Sequence, residues 1–163
     1  MDLNALEQFT KRNKGDYSKS ERSFVGGRKR EAKANLVFKD FRVSIGFVER
    51  RVYAVGVGGF RNSLEIKIYD EDLPVFEIGV RTGMLPRLFL PFRKRLWVKS
   101  GDKSVADRLC QDKQILGIFR RYPFFTVKSG KEGLVDSALD IDSLLVEDLE
   151  SWCGFLVEFG RRA

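Results

Sequence analysis

The chain has 163 residues, of which 43% are hydrophobic and 33% charged, and its formal net charge is +7 at neutral pH. This length suits a single domain, and the hydrophobic share excludes a disordered chain. The sequence contains no histidine, which excludes catalytic pairs of serine or cysteine with histidine and imidazole metal ligands. We therefore predict one domain over residues 1–163 that is not an enzyme and carries no cofactor.

The first residues of the chain do not resemble a secretory signal or a membrane anchor. Asp2, Asn4 and Glu7 interrupt the apolar residues there, and no stretch of the sequence approaches the roughly 20 apolar residues that a membrane span requires. These features predict a cytoplasmic protein without a transmembrane segment.

The N-terminal part is predicted to be a short helix followed by a polar segment. Asn4 and Glu7 have the spacing of a helix capping box. Residues 15–30 are mostly polar, so we predict that residues 1–30 form a helix and a loosely ordered lead-in, which is either a mobile loop or a loosely attached strand around residues 23–25. The core is then expected in residues 31–163.

Between residues 31 and 80 the hydrophobic pattern has a period of two. Apolar residues alternate with polar ones over 32–38, over 41–47 and over 64–68, and Lys39 with Asp40 forms a turn between the first two runs. This pattern predicts an antiparallel meander of four or five strands.

Residues 83–95 form an apolar segment that Pro86 and Pro91 keep from being a continuous helix or a central strand. If its side chains are exposed, such a segment would suit a protein partner or an anionic membrane surface; if they are covered, they belong to the core. The candidate partner-binding residues are Leu88, Phe89, Phe92, Arg93, Lys94 and Arg95.

The last 68 residues are predicted to form a strand, two short helices, a hairpin and a long helix. Residues 96–99 alternate as a strand, Asp102 or Ser104 caps the first helix, and two glycines in 129–133 join the strands of the hairpin. Asp142 is predicted to cap the final helix. Its apolar stripe has helical spacing and needs a sheet to cover it: Leu145, Leu149, Trp152, Leu156 and Phe159.

The predicted fold class is therefore α+β. We expect an antiparallel sheet of about six to eight strands, arranged as a meander plus a hairpin. The long C-terminal helix and the shorter helices are expected to pack on one face of that sheet.

The strand and turn Leu96-Trp97-Val98-Lys99-Ser100-Gly101-Asp102, together with the helix, hairpin and closing helix after it, resembles a widespread group of uncharacterised prokaryotic domains. The resemblance covers about the last 90 residues. It implies no catalytic or binding residue.

Three functions lead from the sequence, and an enzyme that uses lysine or carboxylates ranks last. The leading hypothesis is a binding or accessory domain that acts as a protein-interaction scaffold. The alternative is a nucleic-acid-binding domain, and a third hypothesis is a small-molecule pocket between sheet and helix. For the nucleic-acid hypothesis, the candidate anion-contacting residues are Arg28, Lys29, Arg30, Arg120 and Arg121.

Overall fold

The computed structural model describes residues 3–54, 57–69, 74–80, 91, 95–121, 125–130, 133–139 and 145–162; within these, the side chains of 52–54, 57–61, 118, 121, 125, 133–139 and 161–162 are not described. The helices are α1 (Leu3–Arg12), α2 (Lys103–Gln111), α3 (Lys113–Arg121) and α4 (Val146–Arg162). The strands are β1 (Asp16–Phe24), β2 (Gly27–Phe38), β3 (Phe41–Ala54), β4 (Val57–Tyr69), β5 (Phe76–Val80), β6 (Leu96–Ser100), β7 (Phe125–Gly130) and β8 (Gly133–Leu139).

These strands form one antiparallel sheet in the spatial order β1-β2-β3-β4-β8-β7-β5-β6. The first four are a meander of long strands, in which each strand pairs with the next along the chain. The β7–β8 hairpin is inserted between β4 and β5, since β8 pairs with β4 and β7 pairs with β5. The predicted α+β class, with a meander and a hairpin, is confirmed.

One face of the sheet is buried. In β3, Val43, Ile45 and Phe47 are at most 1% exposed, whereas the residues between them are partly exposed. Because strand residues alternate between faces, this pattern shows that only one side is covered. We call it the core face. α1 contacts β1 and β2, and α4 contacts β4 and β8.

The C-terminal helix α4 packs its apolar stripe against the core. Leu149, Leu156 and Phe159 are at most 1% exposed, and the Phe159 ring lies 5.3 Å from the ring of Phe76 in β5. The predicted stripe is confirmed except at its first member. Leu145 is 56% exposed because it precedes the first turn of the helix.

The segment predicted to be a loosely ordered lead-in contains a regular strand. Residues 16–24 form β1, which pairs along its whole length with β2, and the second strand begins at Gly27. The strand has no apolar alternation because eight of its nine residues are exposed. Its order comes from pairing with a neighbour, which leaves no hydrophobic signal in the sequence.

Other predicted features lie outside the described residues. These include most of the apolar segment, at 83–90 and 92–94, and the proposed helix cap Asp142. In the described part of the chain, no helix has both the length and the hydropathy needed to cross a bilayer.

Candidate functional site

The face of the sheet opposite the core is not covered by a described helix, and we call it the open face. In an antiparallel sheet, residues paired across neighbouring strands lie on the same face, so the register defines its members. One row across the meander runs through Ser18, Lys33, Gly46 and Glu65. Lys33, Gly46 and Glu65 alternate with buried residues in their strands, which places this row on the open face.

The open face has an excess of positive charge. Its described side chains include eight basic and four acidic residues. The basic ones are Arg22, Lys29, Lys33, Arg42, Arg50, Lys67, Lys99 and Lys128, and the acidic ones are Asp16, Glu31, Glu65 and Glu77.

Four of these lysines form a line across the sheet. Lys33, Lys67, Lys128 and Lys99 lie on β2, β4, β7 and β6, which are every second strand in the sheet order. The last three share one register row, and Lys33 lies one row away. With strands about 4.8 Å apart, neighbouring members are separated by about 10 Å and the line spans about 29 Å. We call these four residues the lysine line.

Acidic residues neutralise part of the open face. Glu77 lies 3.2 Å from Lys128 Nζ and 3.5 Å from Lys99 Nζ, and Glu65 lies 3.9 Å from Lys67 Nζ. Those lysines remain partly exposed, Lys99 to 75% and Lys128 to 57%. Such exposed pairs contribute little to stability and can exchange partners with an incoming anion.

Other cations of the open face are not neutralised in this way. Lys33, Arg22 and Arg50 form no ion pair with another described side chain. Lys29 pairs with Glu31 at 2.5 Å, and its hydrogen bond lowers the pKa of that carboxyl group. The positive potential is therefore strongest over the meander.

Aromatic side chains lie beside two members of the lysine line. Tyr69 follows Lys67 by two residues on β4 and is 49% exposed. Trp97 precedes Lys99 by two residues on β6, and Lys99 Nζ lies 5.1 Å from its ring centroid. The indole covers Gly79, the residue opposite it on β5. Only glycine fits there, because a Cβ atom would lie 2.7 Å from the Trp97 ring.

We expect Gly79→Ala to push the Trp97 indole outward into water. The fluorescence emission should shift to the red and become more accessible to an aqueous quencher, while the second tryptophan, Trp152, is only 5% exposed and should contribute no change. Gly46→Ala is the matched control, since Gly46 is on the same face and a Cβ there has no atom within 4 Å. Equal spectra for the two variants would contradict the described contact.

A second charged group lies on the core face, near the turn ends of β1 and β2. Arg51 Nε donates to Glu49 Oε1 at 2.5 Å, and Glu49 is only 2% exposed. Arg30 donates to Glu21 Oε2 at 3.2 Å, and Arg28 pairs with the same oxygen. The hydrogen bond from Arg28 is the main cause that lowers the pKa of Glu21. These arginines are engaged with carboxylates of the chain itself.

The structure separates the predicted anion-contacting residues. Arg28 and Arg30 are on the core face with the buried Ala32, whereas Lys29 is on the open face. Arg120 is exposed on α3, in the helical layer, and the side chain of Arg121 is not described. They do not form one site, because neighbours in a strand point to opposite faces.

The predicted partner-binding residues cannot be placed together. Leu88, Phe89, Phe92, Arg93 and Lys94 lie outside the described residues, and Arg95 is half-buried just before β6. The hypothesis of a protein-interaction scaffold stays a prediction.

An open groove of about 790 Å³ lies where β5 and β6 meet the start of α2. Lys103 and Ala106 of α2 face Glu77, Lys99 and Lys128 of the sheet across it. None of its described lining residues comes from α4, so it is not the predicted pocket between the sheet and the long helix. The start of α2 is capped within the chain, because Asp102 Oδ1 accepts a hydrogen bond of 2.7 Å from the Ser104 backbone.

The lysine line was missed by sequence reasoning. Its members are single lysines in four strands spread over 96 positions of the chain, and no local run indicates them. A comparison of the chain with protein-family models, curated proteins and solved structures found no match. The resemblance of the C-terminal part to a prokaryotic domain group stays a prediction.

Proposed function

We propose that this protein is a nucleic-acid-binding module that holds a single-stranded polynucleotide across the open face of its sheet. The observation that carries the proposal is the lysine line, which crosses the sheet at regular intervals on a face whose described side chains include twice as many basic as acidic ones. Proteins that bind single strands without strong sequence preference use such a basic track for the phosphates.

The surroundings of the lysine line support a polynucleotide as the ligand. Ser44, Gly46 and Ser63 keep the middle of the open face shallow, so that a chain could approach the sheet closely. Tyr69 and Trp97 offer aromatic surfaces on which bases can stack. A lipid surface would need a continuous patch of exposed apolar side chains, whereas those of the described open face of the meander, Phe24, Val37 and Tyr69, lie apart at strand ends.

We expect the purified protein to bind a labelled single-stranded oligonucleotide of mixed sequence, with an affinity that falls steeply as salt is added. The triple variant Lys33→Gln, Lys67→Gln, Lys128→Gln should reduce the slope of log affinity against log salt by about two, since each lost phosphate contact in a single strand contributes about 0.7. Its affinity at low salt should fall on the order of 10- to 100-fold. Fluorescence anisotropy measures both quantities.

A second triple variant provides the control. Lys11→Gln, Lys39→Gln and Lys113→Gln remove the same charge from exposed positions on and beside the helical layer, since Lys39 Nζ lies beside Gly154 of α4. This variant should keep most of the affinity and nearly all of the salt slope. Equal losses in the two triple variants would show that only net charge matters, and absence of binding by the unmodified protein at low salt would refute the proposal.

A further inference from the structure

The first strand, β1, ends the sheet with one unpaired edge. It pairs with β2 on one side, and no other described strand lies beside it. Eight of its nine residues are exposed and none is proline. An open edge of this length presents a row of backbone donors and acceptors that can pair with another strand.

The turn after β1 determines which backbone groups point outward. A two-residue turn, Val25-Gly26, joins Phe24 to Gly27, so these two residues form a hydrogen-bonded pair. Hydrogen-bonded and non-hydrogen-bonded pairs alternate along an antiparallel ladder. The odd-numbered residues from Tyr17 to Ser23 therefore direct their N–H and C=O groups to the open edge.

We propose that β1 pairs antiparallel with β1 of a second copy of this chain, about a two-fold axis that passes through Ser20. In this register Lys19 of each copy lies opposite Glu21 of the second copy, on the same face of the joined sheet. Tyr17 lies opposite Ser23. The pairing forms about eight backbone hydrogen bonds between the copies and two pairs of opposite charges.

The charge pattern selects this register over its neighbours. An axis through Lys19 would place two lysines directly opposite each other, and an axis through Glu21 would do the same with two glutamates. An axis through Ser18 or through Arg22 would place Lys19 and Glu21 opposite uncharged residues or opposite positions beyond the end of the strand. Like charges opposite each other destabilise a sheet and unlike charges stabilise it, so the axis at Ser20 is favoured.

Both charged residues are available for this contact. Lys19 forms no ion pair with a described side chain, and it is exposed. The ion pairs that Glu21 makes with Arg28 and Arg30 both use Oε2. Its Oε1 atom receives no hydrogen bond from a described residue and can accept one from Lys19 of the second copy.

The dimer would join the two sheets into one. A two-fold axis perpendicular to a sheet keeps both open faces on the same side, so the basic surfaces would become continuous, with Arg22 of each copy near the axis. Formation of the dimer depends only on the edge and the charges of β1. It can hold or fail whether or not the open face binds nucleic acid.

Charge exchange between two variants tests the register. Lys19→Glu places glutamates opposite glutamates, and Glu21→Lys places lysines opposite lysines, so each variant alone should be monomeric by light scattering. An equimolar mixture should form a heterodimer, because every opposing pair is then complementary. Circular dichroism checks that each variant is folded. A folded pair that stays monomeric when mixed would overturn the proposal.

Disulfide trapping gives a second test that leaves the charges in place. The two copies of Ser20 would form a non-hydrogen-bonded pair with Cα atoms about 4.5 Å apart, which is within the range of a disulfide. In a Cys110→Ser background, Ser20→Cys should give a cross-linked dimer under mild oxidation. Ser18→Cys is the matched control, since its two copies would be more than about 10 Å apart and should remain uncoupled. Equal cross-linking at the two positions, or none at Ser20→Cys, would overturn the proposal.

Discussion

Replacement of Phe47 by alanine is expected to lower the free energy of unfolding by about 3–5 kcal/mol. Phe47 is fully buried on the core face of β3, and its neighbours across the sheet are Ala32 and Leu64. Ala32 is small, so it cannot fill the volume that the missing ring leaves. Such a loss is a large part of the 5–15 kcal/mol that stabilises a typical domain.

Urea denaturation of Phe47→Ala and Val48→Ala compares the two faces of one strand. Val48 is the next residue, points to the open face and is only partly buried. Its replacement should cost no more than about 1 kcal/mol, because no packed layer surrounds it. Similar losses at the two positions would mean that the open face is covered as the core face is, which would contradict the fold described above.

Leu156→Ala in α4 is expected to cost about 2–5 kcal/mol. Leu156 is fully buried in the stripe that packs on the sheet, between Trp152 and Phe159. Removing its methyl groups leaves a cavity between the helix and the core, and α4 is held to the sheet by this stripe.

The control for this substitution is Glu158→Ala. Glu158 is exposed on the same helix, and alanine is a good helix former, so the expected change lies within about 0.5 kcal/mol. Thermal or urea unfolding followed by circular dichroism measures both variants. A Leu156→Ala variant as stable as Glu158→Ala would show that α4 does not contribute to the core.

The strands of the meander could be predicted where one face is buried. Alternating apolar residues over 32–38, 41–47 and 64–68 indicate β2, β3 and β4, and their buried members are those that the period of two selects. β1 lacks this signal, because an edge strand held by backbone pairing needs no apolar residues. Its polarity therefore predicted a loosely ordered segment rather than a regular strand.

The order of the later strands could not be predicted. β8 lies beside β4 although 63 residues lie between the end of β4 at Tyr69 and the start of β8 at Gly133, and β5 lies between β6 and β7. Such long-range pairings depend on which surfaces meet in the folded chain, and no local pattern encodes them. The packing of α4 on this sheet was predictable because its stripe of buried residues has helical spacing.

The candidate site shows the same limit. Basic residues that are adjacent in the sequence, such as Arg28, Lys29 and Arg30, were the predicted anion contacts, but a strand divides them between two faces. Lysines that are far apart, such as Lys33 and Lys128, lie on one face because the sheet brings their strands together. Charge clusters on a sheet follow the register, which the sequence alone does not reveal.

The central claim is that the open face, and not the helical layer, carries the ligand. Lysine acylation read by mass spectrometry, with and without a single-stranded oligonucleotide, tests it most directly. We predict that the oligonucleotide slows the modification of Lys33, Lys99 and Lys128 and leaves the rates of Lys11 and Lys113 unchanged. Protection of Lys11 and Lys113 with no protection of the other three would contradict the account.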